Sequence, residues 1–289
     1  MVTSTQTMPI VGHTSAGSPA TVAAPVRQKF ADLIGRTAIV TGAGSGIGAA
    51  IAEELAQAGA VVFVQDLRPE AAAAVVERIR TVAGVADAVG GDVSNSDDVR
   101  SIVDDMLHKY ERIDILVNNA GVQHVAPIER FPLAEWSRLL GVLLTGPFLL
   151  TQVVLSPMRR QQWGRIINIA SINGKRGDPG KVAYCSAKHG LVGLTRVAAL
   201  ETATDGITVN AICPGLVDTP LIQIQLDDLA AMHGLAREDA LAQVYLSSIP
   251  QKRMLDPQEI AVMARYLASE EARGITGQAI NVSAGFIMH

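Results

Sequence analysis

The sequence has little cysteine, and its two thiols lie in separate segments. Cys185 and Cys213 are the only cysteines among 289 residues, and they form no Cys-x-x-Cys pair. Such spacing argues against a disulfide framework and a zinc site, so we interpret both as small buried hydrophobic residues. The histidines show no ligand spacing either, and no metal site is predicted. The low cysteine content fits a reducing cytoplasm, where we expect the protein to be located.

The chain also lacks any block of charge of one sign. Charged residues make up 18% of the sequence, hydrophobic residues make up 48%, and the formal net charge is −4. Nucleic acids and anionic membranes bind concentrated positive charge, so neither is expected as a partner. The composition supplies a large apolar core and excludes an intrinsically disordered chain.

Two segments have a length or position at which targeting and membrane signals occur. Residues 1–30 lack the early positive charge and the unbroken apolar stretch of a secretory signal, and we interpret them as a flexible tail. Residues 139–158 carry no charge over a length that could span a bilayer, but Gly146 and Pro147 interrupt them. We predict a buried helix at this second segment, with a subunit interface as one place where it could pack.

After residue 36, apolar runs rich in β-branched residues alternate with segments of helical spacing. Continuous apolar runs are typical of parallel strands that are covered on both faces. Repeated β–α–β units predict one α/β domain, residues 31–289, with a doubly wound parallel sheet. Residues 216–255 are less regular, and we predict a small helical lobe that can cover a ligand cleft. The predicted strands are 37–42, 61–66, 84–92, 113–119, 164–171, 206–212 and 278–283, and the predicted helices are 47–59, 69–82, 96–110, 133–159, 181–205 and 257–269.

A glycine-rich turn, "TGAGSGIG", joins the first predicted strand to the first predicted helix. Gly42, Gly46 and Gly48 allow the backbone to approach a pyrophosphate, and the helix N-terminus offers free N–H groups to that anion. A glycine trio alone can be a tight packing turn. Its place between a strand and a helix favours a Rossmann-type dinucleotide site.

The second predicted strand ends in an acidic residue, Asp66. A carboxylate there can hold both ribose hydroxyls of NAD and would repel the 2′-phosphate of NADP. Ser45 brings no positive charge to the turn, and we interpret the nearby Arg68 as a solvated residue. The sequence therefore favours NAD as the cofactor.

Tyr184 and Lys188 lie one helical turn apart and share a helix face. A fixed ammonium favours the phenolate and lowers the pKa of a tyrosine, which makes it a usable acid or base near neutral pH. Ser171 ends a predicted strand at the edge where open α/β sheets bind ligands. By themselves, Tyr184 and Lys188 could be surface residues; with the nucleotide turn and the serine they predict a catalytic site.

Together these motifs resemble the single-domain short-chain dehydrogenase/reductase family over residues 30–285. The resemblance is carried by "TGAGSGIG" (41–48), "GDVS" (91–94), "NNAG" (118–121), Ser171, "YCSAK" (184–188) and "PGLVDTP" (214–220). It implies hydride transfer between a nicotinamide and a carbon-bound oxygen. Tyr184 would be the acid/base, Lys188 would lower its pKa and hold the nicotinamide ribose, and Ser171 would hold the substrate oxygen. The implied cofactor-binding residues are Gly42, Ser45, Gly46, Ile47, Gly48, Asp66, Asp92, Val93, Asn119, Ala120, Gly121, Tyr184, Lys188, Pro214, Gly215, Val217 and Thr219.

Two positions depart from the family pattern. Leu143 stands in "VLLTG" where relatives carry an asparagine that holds a water beside the lysine. A leucine cannot bind that water, so either another group relays the proton or turnover is slowed. "NVSAG" (281–285) stands where "VDGG" is common, and the sequence does not explain this change.

Within the family, the chain is similar to the D-3-hydroxybutyrate dehydrogenases, in which Gln, His, Lys and Gln hold the substrate carboxylate. Gln123, Lys181 and Gln225 match three of these positions, and Asn173 stands at the histidine. Leu216 replaces a tryptophan and leaves more room. The resemblance implies an NAD-dependent dehydrogenase for a short 3-hydroxy acid, working as a homotetramer. Two alternatives stay open: a dehydrogenase or reductase for a different alcohol or ketoacyl substrate, with NAD or NADP, and a weakly catalytic cofactor-binding protein.

Overall fold

The structure is a computed structural model that describes residues 32–289, apart from the side chains at 228–229 and 231–233. The predicted tail, residues 1–30, lies outside the described residues.

The described chain folds around a seven-stranded sheet in which every neighbouring pair is parallel. The spatial order is β3-β2-β1-β4-β5-β6-β7, so the direction of winding reverses between β1 and β4. This order confirms the predicted doubly wound sheet. The strands are β1 (Thr37–Val40), β2 (Val61–Asp66), β3 (Val85–Gly90), β4 (Ile115–Asn118), β5 (Gly164–Ile169), β6 (Ile207–Pro214) and β7 (Ala279–Val282).

Helices connect the strands at bounds close to those that the sequence predicts. Local signals fix several of their starts: the Asn95 side chain accepts hydrogen bonds from two backbone N–H groups of α3, and Asp256 with Glu259 forms a capping box at α9. The helices are α1 (Gly46–Gln57), α2 (Pro69–Thr81), α3 (Ser96–Tyr110), α4 (Leu133–Leu140), α5 (Gly146–Gln161), α6 (Val182–Glu201), α7 (Pro220–His233), α8 (Arg237–Ala240) and α9 (Pro257–Ala268).

The strands show no alternation of polarity because helices cover both faces of the sheet. In β1, Ala38 and Val40 pack into the core that contains α1, α2 and α9. Ile39, between them, packs into the opposite core with residues of α3 and α5. Successive side chains of a strand point to opposite faces, so both sets must be apolar.

The charge-free segment lies in α4 and α5, which a π-helical turn, Gly141–Thr145, joins into one helix. The helix Leu133–Gln161 is long and apolar enough to cross a membrane by length and composition alone. Leu139, Leu150 and Val154 are buried in the core, whereas Phe148 is 46% exposed. The prediction of a buried helix therefore holds for one face of the helix only.

Between β6 and α9 the chain forms the predicted helical lobe. α7 and α8 are followed by a π-helical turn, Leu241–Tyr245, and a 3₁₀ turn, Leu246–Ser248. The lobe has a small apolar cluster of its own around Leu226 and Ala240. It stands beside the carboxyl ends of the strands because it directly follows β6.

Asp114 anchors the amino ends of the two central strands. Its fully buried carboxylate accepts hydrogen bonds from the Thr37 backbone N–H at 2.9 Å and from the guanidinium groups of Arg36 and Arg112 at 2.6 to 3.1 Å. β1 and β4 are thereby fixed side by side, and their opposite ends border the site described below.

We expect Asp114→Ala to lower the free energy of unfolding by about 3–5 kcal/mol, because it leaves two guanidinium groups and a buried N–H without their acceptor. Urea unfolding followed by tryptophan fluorescence measures this loss. The matched control is Asp97→Ala, which removes an 85% exposed carboxylate paired with Arg100 and should cost under about 1 kcal/mol. Equal losses in the two variants would contradict the anchoring role, and Asp114→Asn serves if the alanine variant does not fold.

Candidate active site

A cavity of about 210 Å³ opens at the carboxyl edge of the sheet, where the winding reverses. It lies between the glycine turn, the ends of β4, β5 and β6, and the helices α6 and α7, which is where open α/β sheets bind ligands. Thirteen residues singled out from the sequence line it: Gly42, Ser45, Gly46, Ile47, Asn119, Gly121, Ser171, Tyr184, Lys188, Pro214, Gly215, Val217 and Thr219.

The other predicted site residues lie outside the wall of this cavity. They are Gly48, Asp66, Asp92, Val93 and Ala120 of the cofactor set, and Gln123, Asn173, Lys181 and Gln225 of the substrate set. Sequence reasoning missed Pro220, Leu221 and Ile222, which also line the cavity. Pro220 ends the "PGLVDTP" motif and the other two directly follow it, so the continuation of the motif into α7 was the signal that could have found them.

The glycine turn needs its glycines for two reasons. Gly42 and Gly46 have positive φ angles, +59° and +55°, which other residues rarely adopt. A Cβ at Gly42 would lie 2.6 Å from the Ala120 Cα, so the turn and the end of β4 meet without room for a side chain. This close approach leaves the backbone of the turn facing the cavity.

Hydrogen bonds of Thr41 and Asn119 fix the position of the same turn. The Asn119 side-chain amide donates to the carbonyls of Thr41 and Gly42, at 2.9 and 3.1 Å. The Thr41 hydroxyl accepts from the backbone N–H groups of Asn119 and Ala120, at 3.0 and 3.1 Å. The "NNAG" motif thus holds the turn to β4, whereas the part that Thr41 plays was not predicted.

Asp66 contacts a fourth glycine of the turn, Gly44. Its carboxylate accepts hydrogen bonds from the backbone N–H groups of Gly44 at 2.9 Å and Arg68 at 3.0 Å. A Cβ at Gly44 would lie 2.7 Å from the Asp66 Oδ2, so only glycine fits. The Arg68 side chain is 67% exposed, in agreement with its interpretation as a solvated residue.

Asp92 and Val93 shape the loop that follows β3. The Asp92 carboxylate accepts from the backbone N–H and the hydroxyl of Ser94, at 2.8 and 2.7 Å. Val93 is buried, and a Cβ at Gly146 would lie 2.8 Å from its carbonyl oxygen, so the loop packs closely on α5. The adenine contacts implied for Asp92 and Val93 stay a prediction.

The residues around the turn fit a nicotinamide dinucleotide. α1 has no acidic residue in its first turn, and the Ser45 side chain does not cap it, so its first N–H groups stay available. A diphosphate suits these groups and the positive end of the helix dipole. We therefore assign the turn, with Asp66 at its side, as the place that would hold the cofactor.

Ser171 and Tyr184 meet at the far end of the cavity. β5 ends at Ile169, and Ser171 begins a 3₁₀ turn in which its hydroxyl accepts from the Asn173 N–H at 3.1 Å. Burial raises the pKa of Tyr184, and a hydrogen bond with Ser171 opposes that rise. The phenol is therefore protonated at neutral pH in the chain without cofactor.

Lys188 is 4% exposed, and its ammonium donates to the carbonyl of Ile169 at 2.6 Å. Burial lowers the pKa of Lys188 to about 8. Its Nζ lies 5.7 Å from the centre of the Tyr184 ring. The predicted lowering of the Tyr184 pKa is not what burial produces in the chain alone; it requires further positive charge, such as that of an oxidised nicotinamide.

Leu143 closes one side of this catalytic group. It lies in the π-helical turn, is fully buried, and packs with Leu139, Ala183 and Ala187 against Tyr184. Its own side chain offers no donor or acceptor where the family pattern has an asparagine.

Two of the predicted substrate residues, Lys181 and Asn173, are held by a carboxylate that sequence reasoning missed, that of Asp178. Its Oδ2 accepts from the Lys181 ammonium at 2.7 Å and from the Asn173 amide at 3.2 Å. The Gln123 Oε1 is buried without a hydrogen-bond partner in the described part of the chain. Asp178 lies three residues before Lys181, and that spacing was the signal that could have revealed the ion pair.

Asn281 and Ser283 account for "NVSAG" in structural terms. The Asn281 amide donates to the carbonyls of Ile287 and His289, at 3.3 and 3.1 Å, and the Ser283 hydroxyl donates to the Ile287 carbonyl at 3.3 Å. These side chains therefore hold the last residues of the chain against the end of β7.

Comparisons with known proteins agree with this geometry. The family model described as short chain dehydrogenase matches residues 36–229. The chain is 50% identical to the uncharacterized oxidoreductase YxjF of Bacillus subtilis over 87% of this chain and 98% of that relative. It is 41% identical to a D-beta-hydroxybutyrate dehydrogenase of Cupriavidus necator (88% and 99% covered) and 40% identical to a 3-oxoacyl-[acyl-carrier-protein] reductase of Synechocystis (89% and 98%).

A solved structure shows the same fold. The crystal structure of a putative gluconate dehydrogenase from Agrobacterium tumefaciens superposes with a TM-score of 0.83 at 34% identity, covering 90% of this chain and 98% of that one.

The buried ammonium predicts a pH effect on stability. The pKa of Lys188 is about 8 in the folded chain, against an ordinary value of 10.5, so the unfolded chain binds more protons between these two pH values. Relative to Lys188→Met, the wild-type free energy of unfolding should therefore rise by about 3 kcal/mol between pH 8 and 10.5. Urea unfolding without cofactor, repeated across this range, measures the difference.

Lys109→Met is the matched control. Asp87 raises the pKa of the exposed Lys109, so the stabilisation that this lysine provides is lost only above its ordinary titration range and shows no rise between pH 8 and 10.5. A flat difference between wild type and Lys188→Met would contradict the desolvation of Lys188.

Proposed function

Because the chain belongs to the short-chain dehydrogenase family, it is an oxidoreductase, and we propose that it uses NAD to oxidise the secondary alcohol of a short 3-hydroxy acid such as D-3-hydroxybutyrate. One observation carries the proposal: Ser171, Tyr184 and Lys188 line the same cavity as the glycine turn. The reacting groups and the glycine turn therefore face the same cavity.

The chain's own residues handle the proton and the substrate oxygen. NAD, when bound, supplies the hydride acceptor. Tyr184 exchanges a proton with the substrate oxygen, and the Ser171 hydroxyl, which is hydrogen-bonded to Tyr184, holds that oxygen in place. Lys188, fixed through the Ile169 carbonyl, supplies a positive charge that favours the phenolate when Tyr184 acts as a base.

The choice of NAD rests on Asp66. Its carboxylate sits at the end of β2, bonded to the glycine turn through Gly44. An acceptor there suits ribose hydroxyls and opposes a 2′-phosphate. Arg68, the adjacent base, is 3.9 Å from that carboxylate and largely exposed, so it leaves Asp66 as the dominant charge.

The choice of a hydroxy acid rests on Lys181 and Gln123. Lys181 is at the N-cap position of α6, three residues before Tyr184, a spacing that favours the same side of the helix. The Gln123 Oε1 lacks a partner among the described residues, and an amide can turn its N–H₂ group toward a ligand carboxylate. Gln225 of α7 and Asn173 complete the proposed substrate set.

A second substrate class, a ketoacyl compound or another ketone, is favoured by the apolar entrance of the cleft. Leu221 lines the cavity and is 44% exposed, and Ile224 on the same helix is 62% exposed. Apolar side chains at this entrance suit an acyl chain. A weakly catalytic, cofactor-binding protein is favoured by Leu143 alone.

We further propose a homotetramer in the cytoplasm, without nucleic-acid or membrane partners. Phe148 of α5 and Val197 and Leu200 of α6 are 46%, 54% and 80% exposed. Large apolar side chains in such positions suit contacts between subunits.

Tyr184→Phe should lower kcat at least about 1000-fold while NADH still binds, because it removes the group that accepts the alcohol proton and keeps the ring. NADH formation from D-3-hydroxybutyrate and a panel of alcohols, with NADH binding followed by fluorescence, checks this. Tyr266→Phe is the matched control, since Tyr266 is a 41% exposed residue of α9 and its loss should leave kcat unchanged. Wild type that binds NADH yet oxidises no alcohol would instead support the weakly catalytic alternative.

Asp66→Ala should reduce the ratio of kcat/KM for NAD to that for NADP by about tenfold or more, because it removes the ribose acceptor and the charge that opposes the 2′-phosphate. Steady-state rates with both cofactors measure the ratio. Asp66→Asn, which keeps an acceptor for the Gly44 N–H, separates the loss of charge from damage to the turn. A wild type that uses NADP as efficiently as NAD would refute the assignment of NAD.

A further inference from the structure

We propose that Asp178 is a specificity-determining residue of this site, and that the hydroxy acid it selects carries a second hydroxyl group beside its carboxylate. This inference rests on the proposed function, since it concerns the substrate of that same site. It goes beyond it by distinguishing a dihydroxy acid from a simple 3-hydroxy acid.

The hydrogen bonds of Asp178 are unevenly shared between its two oxygens. Oδ2 accepts from both Lys181 and Asn173, at 2.7 and 3.2 Å. Oδ1 makes no side-chain hydrogen bond within residues 32–289. The Asp178 side chain is 27% exposed, so part of this carboxylate is open to solvent or to a ligand, and Oδ1 can accept a further hydrogen bond.

The two partners of Asp178 place it next to the reacting groups. Asn173 donates its backbone N–H to the Ser171 hydroxyl, and Lys181 precedes Tyr184 by one helical turn. Asp178 is therefore tied to the segments on both sides of the Ser171–Tyr184 pair.

The helical lobe approaches Asp178 from the other side. Burial and then the charge of Asp178 raise the pKa of Tyr245, which closes the π-helical turn of the lobe. The Asp178 carboxylate and the Tyr245 phenol are therefore close enough to interact electrostatically.

The pairing changes what Lys181 can select. A lone ammonium would attract any carboxylate, but here one N–H is already donated to Asp178 and the pair carries no net charge. The carboxylate of a ligand that approached Lys181 would lie beside Oδ1 of Asp178 and be repelled by its negative charge. A hydroxyl next to the ligand carboxylate removes that penalty, because it donates to Asp178 while the carboxylate accepts from Lys181.

A simple 3-hydroxy acid cannot supply that donor. Its single hydroxyl is the one that is oxidised, and that hydroxyl is hydrogen-bonded to Ser171 and Tyr184. Burying a charged acceptor against a substrate that offers it no donor costs binding free energy, which is how a polar site rejects an analogue that lacks one hydroxyl.

The test compares two substrates that differ by one hydroxyl: D-3-hydroxybutyrate and the 2,3-dihydroxybutyrate of the same configuration at carbon 3. We expect wild type to favour the dihydroxy acid by about tenfold in kcat/KM, mostly through KM. In Asp178→Ala the preference should disappear, because kcat/KM for the dihydroxy acid falls relative to kcat/KM for D-3-hydroxybutyrate. Asp178→Asn, which removes the charge and keeps the shape, serves if the alanine variant folds poorly.

Asp205→Asn is the matched control. Asp205 is a carboxylate of similar exposure, 22%, paired with Arg159 just before the amino end of β6, at the opposite edge of the sheet. Its loss should leave the substrate ratio unchanged.

The outcomes separate this inference from the function on which it rests. Equal kcat/KM for the two acids in wild type, or a loss by the same factor for both acids in the Asp178 variants, would overturn the role of Asp178 while leaving a 3-hydroxy acid dehydrogenase in place. Oxidation of neither acid, with NADH binding intact by fluorescence, would overturn the proposed substrate class, and the inference with it.

Discussion

The bond between the Lys188 ammonium and the Ile169 carbonyl fixes the geometry on which the site depends. It joins the middle of α6 to the last residue of β5 across a buried, apolar region. Tyr184 lies one turn earlier on α6, and Ser171 lies two residues after Ile169, so this one contact sets the position of both. Burying a cation there costs free energy, and this cost lowers the pKa of Lys188.

Burial acts in opposite directions on the two partners of the catalytic pair. It raises the pKa of Tyr184 and lowers that of Lys188, so both charged forms are disfavoured in the chain alone. The apolar packing of Leu143 against Tyr184 strengthens this tendency, because it supplies no group that can hydrogen-bond to a charge. Ligand charge therefore has more influence on this pair than it would have in a hydrated site.

The acidic residues at the two ends of the cleft, Asp66 and Asp178, have different partners. At the cofactor end, Asp66 is held by backbone N–H groups, and its nearest cation, Arg68, is 3.9 Å away and largely exposed. At the substrate end, Asp178 and Lys181 form a neutral pair. Under the proposed function, the first arrangement would discriminate by repulsion, whereas the second would discriminate by the pattern of donors and acceptors that the ligand presents.

The sequence alone determined the order of strands and helices, the glycine turn, and the spacing of Ser171, Tyr184 and Lys188. Those features depend on local properties: apolar runs, helical periodicity, and the backbone freedom of glycine. The tertiary structure alone decided that Asn119 braces the turn through Thr41, that Lys188 binds the Ile169 carbonyl, and that Asp178 binds both Lys181 and Asn173. A hydrogen bond between separate segments depends on how the chain brings them together, and the residue pattern does not record which carbonyl or carboxylate arrives opposite a given donor.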